Sequence, residues 1–180
     1  MLSYRLSINL GDAVKEDNKM LRLVYTFFLG VLLAIFVGVG VATYYPGPKS
    51  VEFPVELNSY GKEPTAEQLA IQKSYDIKMQ QYNKDMRPYN RNTSIIVLCA
   101  AVIFLVISLI YEKRIKILAD GVMLGGLFTL VYSIGRSFAS QDTKYTFLTV
   151  TIGLLIVLYL GYHRFVRGHL SGAKIPRAKV

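Results

Sequence analysis

The chain has 180 residues, a length that suits one domain, and its hydrophobic residues (52%) are gathered in blocks rather than dispersed. Such blocks are typical of membrane proteins. The formal net charge is +9, but the basic residues flank the apolar blocks and no nucleic-acid-binding motif accompanies them. The charge therefore favours membrane lipids as partners and argues against nucleic acid. The single cysteine, Cys99, excludes an intrachain disulfide and a CxxC redox centre.

The first ten residues alternate between apolar and polar side chains, from Leu2 to Leu10. Such alternation predicts a strand over residues 2–10, ended by the turn at Gly11 and Asp12. A lone strand is unstable and needs a partner edge, in another subunit or another protein. The alternatives are a helix lying on the membrane and an unstructured arm.

Four stretches have the apolar length of about 20 residues that a helix needs to cross the hydrocarbon. They predict an all-α membrane protein with a bundle of four transmembrane helices over residues 23–45, 92–111, 117–138 and 145–163. The first apolar stretch is longer than a signal-peptide core, so we interpret it as a retained signal anchor. Tyrosines near the ends of the stretches suit the headgroup layers.

The distribution of Lys and Arg predicts the orientation. Twelve of these residues lie in segments 1–22, 112–116 and 164–180. Nine lie in segments 46–91 and 136–144, and segment 46–91 also holds six acidic residues. We therefore predict cytoplasmic termini in a plasma (inner) membrane, with 46–91 and 139–144 outside. Four basic residues are predicted to contact lipid headgroups or set the topology: Arg114, Lys116, Arg164 and Arg167.

The long outer loop, residues 46–91, is expected to have structure of its own. Val51, Phe53, Val55 and Leu57 alternate as in a short strand, which Pro54 restricts to an edge strand or an extended arm. Thr65 and Gln68 have capping-box spacing, so an amphipathic helix is predicted over about 65–86. Pro88 should end this helix or begin the next one.

The predicted outer helix has one narrow apolar stripe, which forms a candidate contact surface: Ile71, Tyr75, Met79, Tyr82 and Met86. The stripe can pack on the membrane surface or on the rest of the loop. It can also contact a neighbouring subunit or an external protein, because methionine-rich surfaces adapt to varied partners.

Small residues recur every four positions in the first and third spans, in the rows Thr26, Gly30, Ala34, Gly38, Ala42 and Gly121, Gly125, Thr129, Ser133, Ser137. Rows of small residues let helix backbones approach closely in lipid, so both rows are predicted to be packing seams. The predicted orientation makes the two spans parallel. Whether the seams close within one bundle or between subunits stays open.

Ionisable residues inside membranes usually mark transport or catalysis, but they are scarce here. Asp120 lies one turn after Lys116, which can pair with it, and Arg136 can reach the outer surface. No metalloprotease, nucleophile-elbow or phosphate-loop motif is present, so no catalytic, cofactor or metal site is predicted.

The sequence thus favours a non-enzymatic protein that acts by association, as a structural or accessory subunit of a membrane assembly or as a homo-oligomer. A homo-oligomeric pore is the alternative. Four spans with a large first outer loop resemble the layout of large-pore channels, although the cysteines that commonly staple such loops are missing.

Overall fold

The computed structural model describes the backbone of residues 2–57 and 65–166, and the side chains of 18–57 and 65–164. Four helices dominate this part of the chain: α1 (Leu2–Tyr44), α2 (Ala66–Tyr111), α3 (Lys116–Ala139) and α4 (Thr143–Gly161). Each of the four is long and apolar enough to cross a membrane. The predicted all-helical architecture with four candidate spans is therefore confirmed.

The predicted strand over residues 2–10 is wrong, because the backbone of this segment is the first part of α1. A strand leaves half of its backbone hydrogen-bonding groups to a neighbour, whereas a helix satisfies them within the segment. Alternation over nine residues does not outweigh this difference when no second strand is at hand. The described residues contain no strand at all.

The predicted strand or extended arm between Val51 and Leu57 is also not supported. Only a 3-10 turn forms here, over Val55–Leu57, with the amide of Leu57 donating to the carbonyl of Pro54 at 3.2 Å. Proline lacks an amide donor, and no neighbouring strand supplies a ladder. The predicted helix start is confirmed: Thr65 caps α2, and the side chains of Thr65 and Gln68 form both hydrogen bonds of a capping box.

The helix predicted over about 65–86 and the predicted second span form one helix rather than two. α2 has 46 residues and includes Pro88, which does not interrupt it. A helix of this length measures about 69 Å, roughly twice the thickness of the hydrocarbon core. Pro88 is exposed, so water can bond the carbonyl that the missing proline amide leaves unpaired. We call residues 66–88 the α2 extension.

α3 lies at the centre of the bundle, because it packs against all three other helices, most extensively against α2. α1 and α2 meet more briefly, around a small cluster of buried valines: Val37, Val41 and Val97. The short connections at 112–115 and 140–142 make α2, α3 and α4 successive antiparallel neighbours. We call the end with the 112–115 link the basic end, and the opposite end the loop end.

Candidate interaction surfaces

The closest approach between α1 and α3 occurs at glycines of both predicted rows. A methyl group added to Gly30 would lie 3.0 Å from Cγ of Leu124 and 3.2 Å from the amide nitrogen of Gly125. One added to Gly125 would lie 2.9 Å from Cβ of Leu33, and one added to Gly121 would lie 2.6 Å from Cδ2 of Leu29. The three glycines therefore permit a helix separation that larger residues would prevent.

The remaining small residues of α1 take less part in this contact. Thr26, Ala34 and Gly38 are half-buried and Ala42 is exposed. A methyl group on Gly38 would find only Tyr132, at 4.0 Å. A step of four drifts by about 40° per repeat on a helix of 3.6 residues per turn, so the row turns away from its neighbour.

The second half of the α3 row faces α2 and α4 instead of α1. The hydroxyl of Ser133 donates to the carbonyl of Ser94 in α2, and the hydroxyl of Ser94 donates to the carbonyl of Ser133, both at 2.8 Å. The hydroxyl of Thr146 in α4 donates to the carbonyl of Ser137 at 3.0 Å. Thr129 is fully buried and bonds within its own helix, to the carbonyl of Gly125.

The most extensive seam in the bundle, between α2 and α3, has no glycines on its α2 side. Its buried α2 residues are mostly small or polar and fall on one helix face, mainly three or four residues apart: Asn90, Thr93, Ser94, Val97, Ala101, Leu105 and Ser108. Ser108 donates to the carbonyl of Ala119 at 2.8 Å, and Asn90 donates to the carbonyl of Ala139 at 3.1 Å. A search for glycines misses this row, whereas a search for small and hydroxyl-bearing residues at this spacing finds it.

An ion cluster at the basic end joins α1 and α3 to the residue after α2 and to the segment after α4. Asp120 of α3 pairs with Arg22 of α1 at 2.9 Å and with Arg164, which follows α4. Arg164 also approaches Glu112, at the end of α2, at 3.8 Å and contacts the sulfur of Met123. The side chains of Asp120 and Arg164 are only 20% and 12% exposed, so the two charges depend on each other for compensation.

This cluster differs from the expected local pair, since Asp120 bonds to arginines of α1 and of the segment after α4 rather than to Lys116 one turn away. Arg164, expected near headgroups, is largely buried in the cluster. Arg114 and Lys116 are exposed, and their lipid contact stays a prediction. Arg167 lies outside the described residues.

Aromatic and cationic side chains close the loop end of the bundle. Tyr45 and Tyr89 stack with ring centroids 5.3 Å apart, and the hydroxyl of Tyr89 donates to the carbonyl of Tyr45. The guanidinium of Arg136 lies over the Tyr89 ring, 5.2 Å from its centroid. Arg136 thus extends to this end of the bundle and is held there by a cation–π contact.

The predicted stripe on the α2 extension is half-buried at every position: Ile71, Tyr75, Met79, Tyr82 and Met86. Part of this cover comes from the chain before α2. The ring of Phe53 meets that of Tyr75 edge to face, with centroids 5.5 Å apart, and the side-chain amide of Gln68 donates to the carbonyl of Glu56. Residues 51–56 therefore fold back onto the start of the extension.

A cleft remains between this folded-back segment and the α2 extension. Its volume is about 630 Å³, and its floor includes Ile71 and Tyr75, with Val51 and Pro54 on the facing wall. Large apolar side chains beside the cleft are exposed: Phe53 (55%), Val55 (75%), Leu69 (44%) and Ile77 (68%). Because these residues precede the apolar part of α2, their exposure is not explained by lipid along the span.

Among the described side chains, no group of three or more His, Cys, Asp or Glu residues is placed to hold a metal ion. The chain matches no known protein family, no curated protein and no solved structure.

Proposed function

We propose that this chain is a non-enzymatic multi-pass membrane protein that acts by association, as a structural or accessory subunit, and that the α2 extension carries its main contact surface. One observation supports this proposal above the others. α2 runs without interruption from the bundle into the extension, so the extension is held rigidly at a set angle to the membrane part. A partner bound there would be positioned relative to the bilayer.

The chemistry of the extension fits protein association. Tyrosine supplies a large contact area, and methionine adapts its shape to varied partner surfaces. The cleft above Ile71 and Tyr75 has the size of an ordinary recognition pocket. On the opposite face, exposed Lys73 and Asp76 keep the extension soluble.

The pore alternative has less support. A pore formed by several copies needs polar side chains on an outward face of the spans. Here most of the described mid-span hydroxyl-bearing side chains are buried inside the bundle of this one chain, among them Ser94, Ser108, Thr129, Ser133 and Thr149. The outward faces carry Phe36, Ile103, Leu154 and similar residues, which suit lipid.

The proposal is tested with full-length protein extracted from its native membrane in mild detergent, followed by mass measurement. We expect a complex heavier than one chain. Tyr75→Ser together with Met79→Ser should weaken this complex about tenfold or more, since two half-buried anchor residues are lost. Insertion and yield should stay unchanged.

The matched control is Lys73→Ser with Gln80→Ser, which changes exposed positions on other faces of the same helix turns. A monomer in every preparation, or equal weakening by the two variant pairs, would contradict the proposal. A large ring that conducts ions or dyes in liposomes would support the pore instead.

A further inference from the structure

We infer that the basic end holds a specific binding site for one anionic phospholipid, in a groove between α1 and the start of α3. The groove has a volume of about 760 Å³, which lies within the range of small-molecule sites. Apolar side chains line it from both helices: Leu21, Tyr25, Ile115, Ile117 and Leu118. Such a lining suits acyl chains rather than a polar metabolite.

The position of the groove along the bundle supports a lipid occupant. On α1 it extends from Asn18 to Tyr25, across the point where charged residues end and the uncharged stretch begins at Leu23. This is the level at which headgroup and acyl chain meet in a bilayer. Leu21, Ile115 and Ile117 are exposed there, so a neighbouring molecule must cover them.

The positively charged side chains at the groove favour a lipid with an anionic headgroup. Lys19 and Arg22 line its polar edge, and exposed Lys113, Arg114 and Lys116 lie on the adjoining link and helix start. The carboxylate of Asp120, on α3 beside the groove, already pairs with two arginines, so it repels a phosphate only weakly. Basic pockets between transmembrane helices are a recognised form of anionic lipid site.

Occupancy would have a structural consequence, since the groove is bounded by α1 and α3. A lipid seated there bridges the two helices at the level of the Arg22–Asp120 pair. This inference does not depend on the proposed function of the α2 extension, which lies at the opposite end of α2.

The test is native mass spectrometry of the full chain from micelles with equal amounts of phosphatidylglycerol and phosphatidylcholine. We expect one phosphatidylglycerol to be retained in preference to phosphatidylcholine. Lys19→Gln should lower its affinity about fivefold, the effect of one cationic side chain near a headgroup. Lys113→Gln, at the same end but not lining the groove, should have a smaller effect.

A second pair of variants tests the groove itself. Ile117→Trp fills part of it and should reduce phosphatidylglycerol retention, whereas Ile110→Trp, on an exposed face of α2 outside the groove, should not. Equal retention of the two lipids would overturn the headgroup selectivity. Equal effects of Lys19→Gln and Lys113→Gln would show diffuse surface attraction only and would overturn the site.

Discussion

Single glycines decide how closely α1 and α3 pack. Gly30 and Gly125 face each other across this contact, and a side chain on either would meet its neighbour at or below normal contact distance. Gly40 of α1, in contrast, has no atom within 4 Å of an added methyl group. The same residue type on the same helix is therefore required at one position and replaceable at another.

This difference gives a paired prediction. Gly30→Leu should lower the free energy of unfolding by about 2 kcal/mol, within the usual range for overpacking, because Leu124 and the Gly125 backbone cannot both withdraw. Gly40→Leu should leave it unchanged or raise it slightly, since leucine favours the helix more than glycine does. The measurement is an unfolding titration with dodecyl sulfate in mixed micelles. Equal losses in both variants would show that these glycines do not set the helix separation.

At the scale of elements, α2 matters most because it continues through Pro88. A proline inside a helix removes one hydrogen bond and costs about 3 kcal/mol, so the helix continues only where other interactions support it. The capping box at Thr65 supports one end, and the hydrogen-bonded seam with α3 supports the other. The α2 extension is thus continuous with the helical bundle and is not a separate domain on a linker.

A distance measurement tests the continuity of α2. Cys99 is the only cysteine and is exposed, so it accepts a spin label directly, and Lys73→Cys supplies an exposed second site in the extension. A continuous helix predicts a single narrow distribution near 40 Å, from the rise of 1.5 Å per residue. Pro88→Ala should preserve this distance. A broad or clearly shorter distribution in the native sequence would mean that α2 breaks at the proline.

At the scale of the whole molecule, the ion cluster at the basic end connects α1 and α3 with the residue after α2 and the segment after α4. Asp120→Asn would leave Arg164 largely buried without its main partner. We expect a loss of about 2 kcal/mol in the free energy of unfolding, less than the 3–5 kcal/mol of a fully buried pair, because Arg22 is 39% exposed. Asp76→Asn, an exposed change on the α2 extension, serves as the control. A thermal unfolding midpoint that is equal in both variants would show that the cluster does not stabilise the bundle.

Much of this architecture is readable from the sequence, because candidate membrane spans follow from the length of the apolar stretches. The glycine rows also pointed to Gly30, Gly121 and Gly125, where α1 and α3 in fact meet. The partners of Asp120 were not readable, since Arg22 and Arg164 are distant in sequence and meet it only through the packing of the helices. Local spacing favoured Lys116 instead.

Two other expectations failed for a common reason. The alternating residues 2–10 and the segment from Val51 to Leu57 both have the side-chain pattern of a strand, but a strand also needs a neighbour, which side-chain patterns do not report. At Pro88 the sequence predicts a helix boundary, whereas the structure has a continuous helix. Proline is a frequent helix boundary, yet here it sits on an exposed face, where water can bond the carbonyl that the missing amide leaves unpaired.

The seam between α2 and α3 also bears on how the chain assembles during synthesis. These two helices are joined by four residues, and the reciprocal bonds between Ser94 and Ser133 involve α2 and α3 alone. They can enter the bilayer together as a helical hairpin, hiding their hydroxyls from lipid from the start. α1 precedes both helices in the chain, but most of its contact surface lies on α3, so we expect α1 to dock only after α3 has emerged.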